Sequence, residues 1–266
     1  MSDAGTNDRL ERLRSRREPP PLIKVRLVER HELTARLVRL VFEGPGLESM
    51  LSEPAASVRL LVPSPGSNRL VIPDWNGNEF LLPGDVRPAL RTFTPLRSTE
   101  PGCLDLEIVR HPGGVVSTWA ETAQPGASAA ISGPGRGFAP PDDTTEFFLL
   151  GDETAAPAIG QLLEHLSPDA AIEVHIEVES DTAIRPMPEH ANATISWVVG
   201  GRGQPAGSRL LTSLATLPEL TPTAHVWAAG EAASMQAIRK YLFDERGLPR
   251  SQATVRGYWK PARPVS

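Results

Sequence analysis

"FFLLGDETAAPAIGQLLEHL", residues Phe147 to Leu166, changes from one physical pattern to another at Gly151. Its first five residues are a wholly apolar run ending in glycine, as expected of a strand covered on both faces. The remainder has helical spacing, with Pro157 tolerable only in a first turn, where a missing N–H costs no intrahelical bond. Downstream the alternation continues. "AIEVHIEV" (Ala171–Val178), "TISWVVG" (Thr194–Gly200), "AHVWAAG" (Ala224–Gly230) and "QATVRGYW" (Gln252–Trp259) read as strands. "SRLLTSLATL" (Ser208–Leu217) and "EAASMQAIRKYLFDERG" (Glu231–Gly247) read as helices, the second stopped by Gly247. Strands alternating with helices over about 120 residues predict right-handed βαβ units and a parallel sheet.

Upstream of "FAPPDDTTE" the period is two. "LIKVRLVER" (Leu22–Arg30) and "TARLVRLVF" (Thr34–Phe42) alternate apolar with charged residues, and "SVRLLVP" (Ser57–Pro63) is rich in β-formers. "TFTPL" (Thr92–Leu96), "CLDLEIVRH" (Cys103–His111) and "ASAAISGP" (Ala127–Pro134) add further short strands, separated by turn clusters such as "EGPG", "PSPGSN" and "DWNGN". Short strands between Pro/Gly turns predict an antiparallel Greek-key β-barrel. The expected organisation is a tail over residues 1–20, the barrel over 21–141, and a parallel-sheet α/β domain over 145–266. Ligands are expected between the two domains, at the carboxyl ends of the parallel strands. The tail, ending "RLRSRREPPP" (Arg12–Pro21), is arginine-rich and expected to be flexible.

Composition narrows the function classes. The chain has 266 residues, 27 Lys+Arg against 32 Asp+Glu and a formal net charge of −5, which argues against a general nucleic-acid binder. No run of 18 apolar residues reads as a membrane span. The lone Cys103 excludes an intramolecular disulfide framework and fits a reducing compartment, so a cytoplasmic protein is expected. The six histidines show no metal-ligand spacing, so no structural metal is expected.

Three stretches carry candidate chemistry. In "RTFTPLR" (Arg91–Arg97) a bidentate cation, an aromatic face and hydroxyls share one strand end, bent by Pro95. Such a set suits a flavin dinucleotide; an edge strand with solvated arginines is the alternative. In "HPGGVVSTWA" (His111–Ala120) a glycine turn opens a short helix whose first N–H groups and Ser117 hydroxyl could receive a phosphate, a plain loop-to-helix connection being the alternative. The turn "GDET" after the first parallel strand lacks a G-x-G-x-x-G fingerprint.

Together with "SGPGRGF" (Ser132–Phe138), "GDETAAPAI" (Gly151–Ile159) and the stretch from Trp227 to Trp259, these motifs resemble the siderophore-interacting protein family, a flavin-containing branch of the ferredoxin reductase-like superfamily. The resemblance runs from about Val25 to Trp259. It implies FAD bound to the barrel and NAD(P)H visiting the α/β domain, with reduced ferredoxin as an alternative electron donor. Arg91 matches the arginine on the FAD pyrophosphate, Phe93 the aromatic stacked on the isoalloxazine, and Thr94 the hydroxyl near flavin N5, with Thr92 between them. His111, Gly114, Val115, Val116 and Ser117 match a second phosphate contact. Asp152, Thr154 and Ala155 match the turn facing the nicotinamide, and Trp259 a tryptophan near the flavin. Arg59 and Arg136 match a basic pocket for an anionic ferric siderophore. Phe93 replaces the usual tyrosine, Val-Val-Ser the usual Pro-Ala-Ser, and Leu96 stands where a second arginine is common. Arg185 and Arg202 are candidates for a 2′-phosphate contact.

The implied function is a ferric-siderophore reductase acting as a monomer, without a committed acid or base. A flavin reductase for another acceptor and a non-catalytic siderophore or flavin carrier are the alternatives.

Overall fold

A computed structural model describes residues 19–200, 204–217 and 219–261; the expected tail up to residue 18 and Arg202 lie outside the described residues. The first half forms a seven-stranded antiparallel sheet from β1 (Ile23–Glu32), β2 (Leu37–Glu43), β3 (Val58–Leu61), β6 (Leu90–Phe93), β7 (Leu96–Arg97), β8 (Cys103–Val109) and β9 (Ser128–Ser132). A two-stranded hairpin, β4 (Asp74–Trp75) and β5 (Phe80–Leu81), is inserted between β3 and β6.

The sheet order is β6-β3-β9-β1-β2-β8-β7. Strands β6 and β7 therefore occupy opposite edges although only Thr94 and Pro95 separate them. Three residue steps span at most about 10 Å, so the sheet must curl until its edges approach, giving a half-barrel. The single strand expected over "TFTPL" is two strands, because Pro95 cannot donate to a continuing ladder.

Alternation fills the interior. Leu27, Leu40, Phe42, Leu60, Leu104, Leu106 and Ile131 are each 0% exposed. Helix α1 (Val115–Thr122) closes one side through Val116 and Ala120, with Trp119 stacked on Phe42 at 6.4 Å between ring centroids.

The second half is a five-stranded parallel sheet of β10 (Glu146–Asp152), β11 (Ala171–Val178), β12 (Ala193–Val199), β13 (Ala224–Glu231) and β14 (Ala253–Trp259), in the order β12-β11-β10-β13-β14. In β10 the apolar run divides between two cores. Phe147 and Leu149 join the layer under α2 (Ala156–His165), while Phe148 and Leu150 join the layer of α3 (Ser208–Ala215) and α4 (Ala232–Lys240). Period two on a sheet covered on both faces makes every residue apolar. Pro157 sits in the first turn of α2.

The helix expected to run to Gly247 is α4 followed by a π turn over Tyr241–Glu245. The Arg246 N–H reaches back to the Tyr241 carbonyl and the Leu248 N–H to Leu242, across Gly247 at φ 65°, which ends the helix.

Strand order reverses between β10 and β13, since β11 and β12 lie on one side of β10 and β13 and β14 on the other. That reversal is where an open α/β sheet leaves a crevice at its carboxyl edge.

Candidate active site

The crevice opens directly onto the half-barrel. One cleft of about 1780 Å³ is lined from the first half by β6, the end of β8 and the start of α1, and from the second by the carboxyl ends of β10 and β11, by β14 along its length and by His225 at the start of β13.

On the half-barrel side Arg91, Thr92, Phe93 and Thr94 all face this cleft. The Arg91 guanidinium donates to the Leu90 carbonyl at 2.9 Å and has no carboxylate partner among the described residues. Phe93 is half-buried against the barrel core. Thr94, 7% exposed, lies beside the Tyr258 phenol of the last strand, whose pKa burial pushes up.

The start of α1 has Gly114 as N-cap and no side-chain cap, so the N–H groups of its first turn lack intrahelical partners. The Ser117 hydroxyl is not free to cap them: buried at 3% exposure, it accepts from the His111 N–H at 2.9 Å. A Cβ at Gly114 would lie 2.4 Å from the His111 ring, which would have to swing away. An unpaired guanidinium, uncapped helical N–H groups and an aromatic face in one open cleft fit the diphosphate and ring of FAD.

Across the cleft, Asp152 is a hub. Its Oδ1 accepts from the Thr154 N–H at 2.9 Å and the Thr154 hydroxyl at 2.5 Å; its Oδ2 accepts from the Glu231 N–H at 2.9 Å and the Trp259 indole at 2.7 Å. Burial nevertheless raises its pKa, opposed by these bonds. Gly230, at φ 157°, makes the approach possible, since a Cβ there would lie 2.7 Å from Oδ2.

Polar contacts hold the two halves together. Arg256 on β14 donates to the carbonyls of Ala55 and Arg136, both at 3.1 Å, and of Gly137. Gln161 of α2 donates to the Pro95 carbonyl at 2.6 Å and accepts from the Ala55 N–H at 2.9 Å. The Glu107 side chain, 0% exposed, lies between Arg39 and Arg185, each at 2.7 Å. Arg36 pairs with Glu153 at 3.3 Å and also with Glu179. Burial lowers the Arg185 pKa and raises that of Glu153, with Glu107 and Arg36 respectively opposing the shift.

Thirteen of the fifteen residues singled out in the sequence line this cleft: Arg91, Thr92, Phe93, Thr94, His111, Gly114, Val115, Val116, Ser117, Arg136, Asp152, Thr154 and Trp259. Two do not. Ala155 is 0% exposed in the core beneath the turn, and Arg59 lies with its guanidinium carbon 5.3 Å from the Phe80 ring centroid, its pKa lowered by burial. Arg185 is committed to Glu107. Sequence reasoning missed Tyr258, Arg256, Arg36 and Glu107. Only Tyr258, beside a singled-out tryptophan, had a local signal.

Residues 26–138 match the siderophore-interacting FAD-binding domain and residues 144–262 the siderophore-interacting protein model. The crystal structure of a siderophore utilization protein from T. fusca superposes with a TM-score of 0.79 at 30% identity, covering 94% of this chain and 95% of that one. The chain belongs to the siderophore-interacting protein family.

This family member has the two-part ferredoxin-reductase-like fold, and its half-barrel is an FAD-binding domain. It is 26% identical over 245 residues to the ferric vibriobactin reductase ViuB of Vibrio cholerae, covering 88% of this chain and 87% of ViuB. The mycobactin import ATP-binding/permease protein IrtA of Mycolicibacterium thermoresistibile is 29% identical over 248 residues, which are 89% of this chain but 25% of IrtA. The chain thus spans about a quarter of that relative's length. Among the described residues no helix is long and apolar enough to cross a membrane, and no group of three His, Cys, Asp or Glu residues could hold a metal ion.

Proposed function

We propose that this siderophore-interacting protein is an FAD-dependent reductase that carries electrons from NAD(P)H to the Fe(III) of a ferric siderophore, freeing the metal as Fe(II). The observation that carries this reading is the single cleft in which a flavin-suited set on the half-barrel faces the carboxyl edge of the parallel sheet at its switch point. The similarity to ViuB, a ferric vibriobactin reductase, supports the acceptor.

In this reading residues 21–141 form the FAD unit and 145–266 the NAD(P)H unit of a cytoplasmic monomer. Arg91 and the first N–H groups of α1 hold the diphosphate, and Phe93 covers the ring. Thr94, beside Tyr258, offers its hydroxyl at the ring edge. Bound FAD supplies the exchange between two-electron and one-electron chemistry that joins a hydride donor to an Fe(III) acceptor. One NAD(P)H carries electrons for two ferric complexes. Each complex loses its metal because anionic oxygen ligands hold Fe(III) far better than Fe(II). Arg136, in the cleft, draws the anionic complex toward the site, and no side chain is required as a proton relay.

The test is an anaerobic absorption titration of purified, FAD-loaded protein with NADH, NADPH or reduced ferredoxin, followed by ferric siderophore and an Fe(II)-trapping dye. Bleaching by the nicotinamide donor and recolouring with Fe(II) release are expected. A flavin that no donor reduces, or that recolours with dioxygen and not with ferric siderophore, sinks the reading.

A further inference from the structure

Three strands of the parallel sheet carry a buried carboxylate at their carboxyl ends: Asp152 on β10, Glu177 on β11 and Glu231 on β13, exposed by 7%, 6% and 6%. Asp152 and Glu177 are direct partners in the β10–β11 register. None of the three pairs with a cation among the described residues. Their partners are the backbone N–H groups around the crevice. Glu177 accepts from Gly207 at 2.8 Å and Arg209 at 2.9 Å, the N-cap and second residue of α3. Glu231 accepts from Ser234 at 2.9 Å in the first turn of α4. Asp152 takes the N–H groups of Thr154 and Glu231, and Pro157 removes a further donor from the first turn of α2.

Open α/β sheets hold a dinucleotide's phosphates on these groups, the N–H donors at helix starts beside the switch point. Here carboxylates take five of these donors, the N–H groups of Thr154, Gly207, Arg209, Glu231 and Ser234. Three cations of the cleft are committed elsewhere, Arg36 to Glu153 and Glu179, Arg256 to three carbonyls, and Arg239 to the Val255 carbonyl, while Lys260 has no ion pair among the described residues.

We propose that Asp152, Glu177 and Glu231 occupy this domain's anion sites with the protein's own carboxylates, so that a hydride donor is recognised through its dihydronicotinamide half and its diphosphate is repelled. The inference rests on the NAD(P)H reading above and deepens it. The donor class widens to dihydronicotinamides without phosphate, and affinity for the dinucleotide is limited by charge rather than by missing shape.

The test uses FAD-loaded protein and two probes. In calorimetric titration with ADP-ribose, which has the diphosphate and no nicotinamide, the wild type shows no saturation below millimolar concentration. Glu231→Gln keeps the one accepting oxygen while removing the charge, Glu177→Gln keeps one of its two accepting oxygens, and each binds ADP-ribose about threefold to tenfold more tightly. In steady-state reduction, phosphate-free dihydronicotinamide riboside reaches a kcat/KM within about threefold of that for NADH, where a phosphate-gripping site would lose orders of magnitude. Micromolar ADP-ribose binding by the wild type overturns the proposal. So does unchanged or undetectable binding by both variants with intact flavin spectra, or an NADH advantage of about thirtyfold or more. If neither nicotinamide donor reduces the flavin, the NAD(P)H reading fails on its own, and the ADP-ribose titration still decides the charge argument.

Discussion

Trp259 and Asp152, 107 residues apart in sequence, meet where the indole Nε1–H donates to Oδ2 at 2.7 Å. The bond ties β14, at the edge of the parallel sheet, to the central strand β10, so the position of Trp259 in the cleft depends on a carboxylate whose hydrogen bonds lie within the second half. Asp152→Asn must turn its amide N–H₂ toward at least one N–H that now donates to the carboxylate, whichever way it flips. We expect a loss of about 2 to 4 kcal/mol in urea unfolding, with altered tryptophan fluorescence. Trp259→Phe should cost less, about 1 to 2 kcal/mol. A double mutant no worse than Asp152→Asn alone would assign the shared part to this bond.

Arg91 has no competing carboxylate among the described residues, so its charge is available to a diphosphate. Arg91→Ala should weaken FAD retention by about 1.5 to 3 kcal/mol, the range for a hydrogen bond to a charged group, while Phe93→Tyr keeps the ring face and should leave it unchanged. Flavin occupancy after dialysis at low free FAD measures both. Equal occupancy in wild type and Arg91→Ala would remove Arg91 from the flavin site.

The two arginines first paired as a substrate pocket should separate. Arg136 lines the cleft, whereas Arg59 is half-buried over Phe80. Arg136→Glu should raise the KM for anionic ferric siderophores about fivefold, roughly 1 kcal/mol for a partly exposed contact, and leave a neutral hydroxamate complex nearly unaffected. Arg59→Glu should instead lower thermal stability, because it sets a carboxylate against an aromatic face. Equal effects of the two reversals on KM would return Arg59 to the pocket.

His225 supplies a pH test. Its Nε2 lies 3.1 Å from the Thr254 hydroxyl, its ring centroid is 5.1 Å from that of Phe138, and burial lowers its pKa from 6.5 to about 4. The unfolded chain therefore takes up this proton first on acidification. The stability is fully present above about 6.5, is lost as pH falls toward about 4, and changes no further below. The loss is at most about 3 kcal/mol for one group. His225→Gln should flatten that part of the profile in chemical denaturation. An identical slope between pH 6.5 and 4 in both proteins would show that His225 is accessible.

Much of this was readable from local pattern. The apolar run of β10, Pro157 in the first turn of α2 and the period-two strands of the half-barrel follow from short-range rules, whereas most of the cleft residues are legible only through the family resemblance. What stayed hidden depends on how the halves dock. Glu107 alternates outward on β8 as a solvated residue would, yet Arg39 and Arg185 enclose it. Arg59 and Arg136 are both arginines beside strands, and only the tertiary arrangement turns one toward the cleft. The carboxylates at the strand ends were visible as letters, but their partners are backbone groups that no side-chain motif announces.

Thr94 and Pro95 are the stitch that joins opposite edges of a curled sheet. Loop insertions elsewhere on the surface of the half-barrel lengthen a connection at small entropic cost. One residue added at this point would let β6 and β7 slide apart and carry the Thr94 hydroxyl away from Tyr258 with them. The place where the chain can least be lengthened is thus also a place where its chemistry is concentrated, and diversity in this protein's relatives is expected to accumulate around that stitch and not within it.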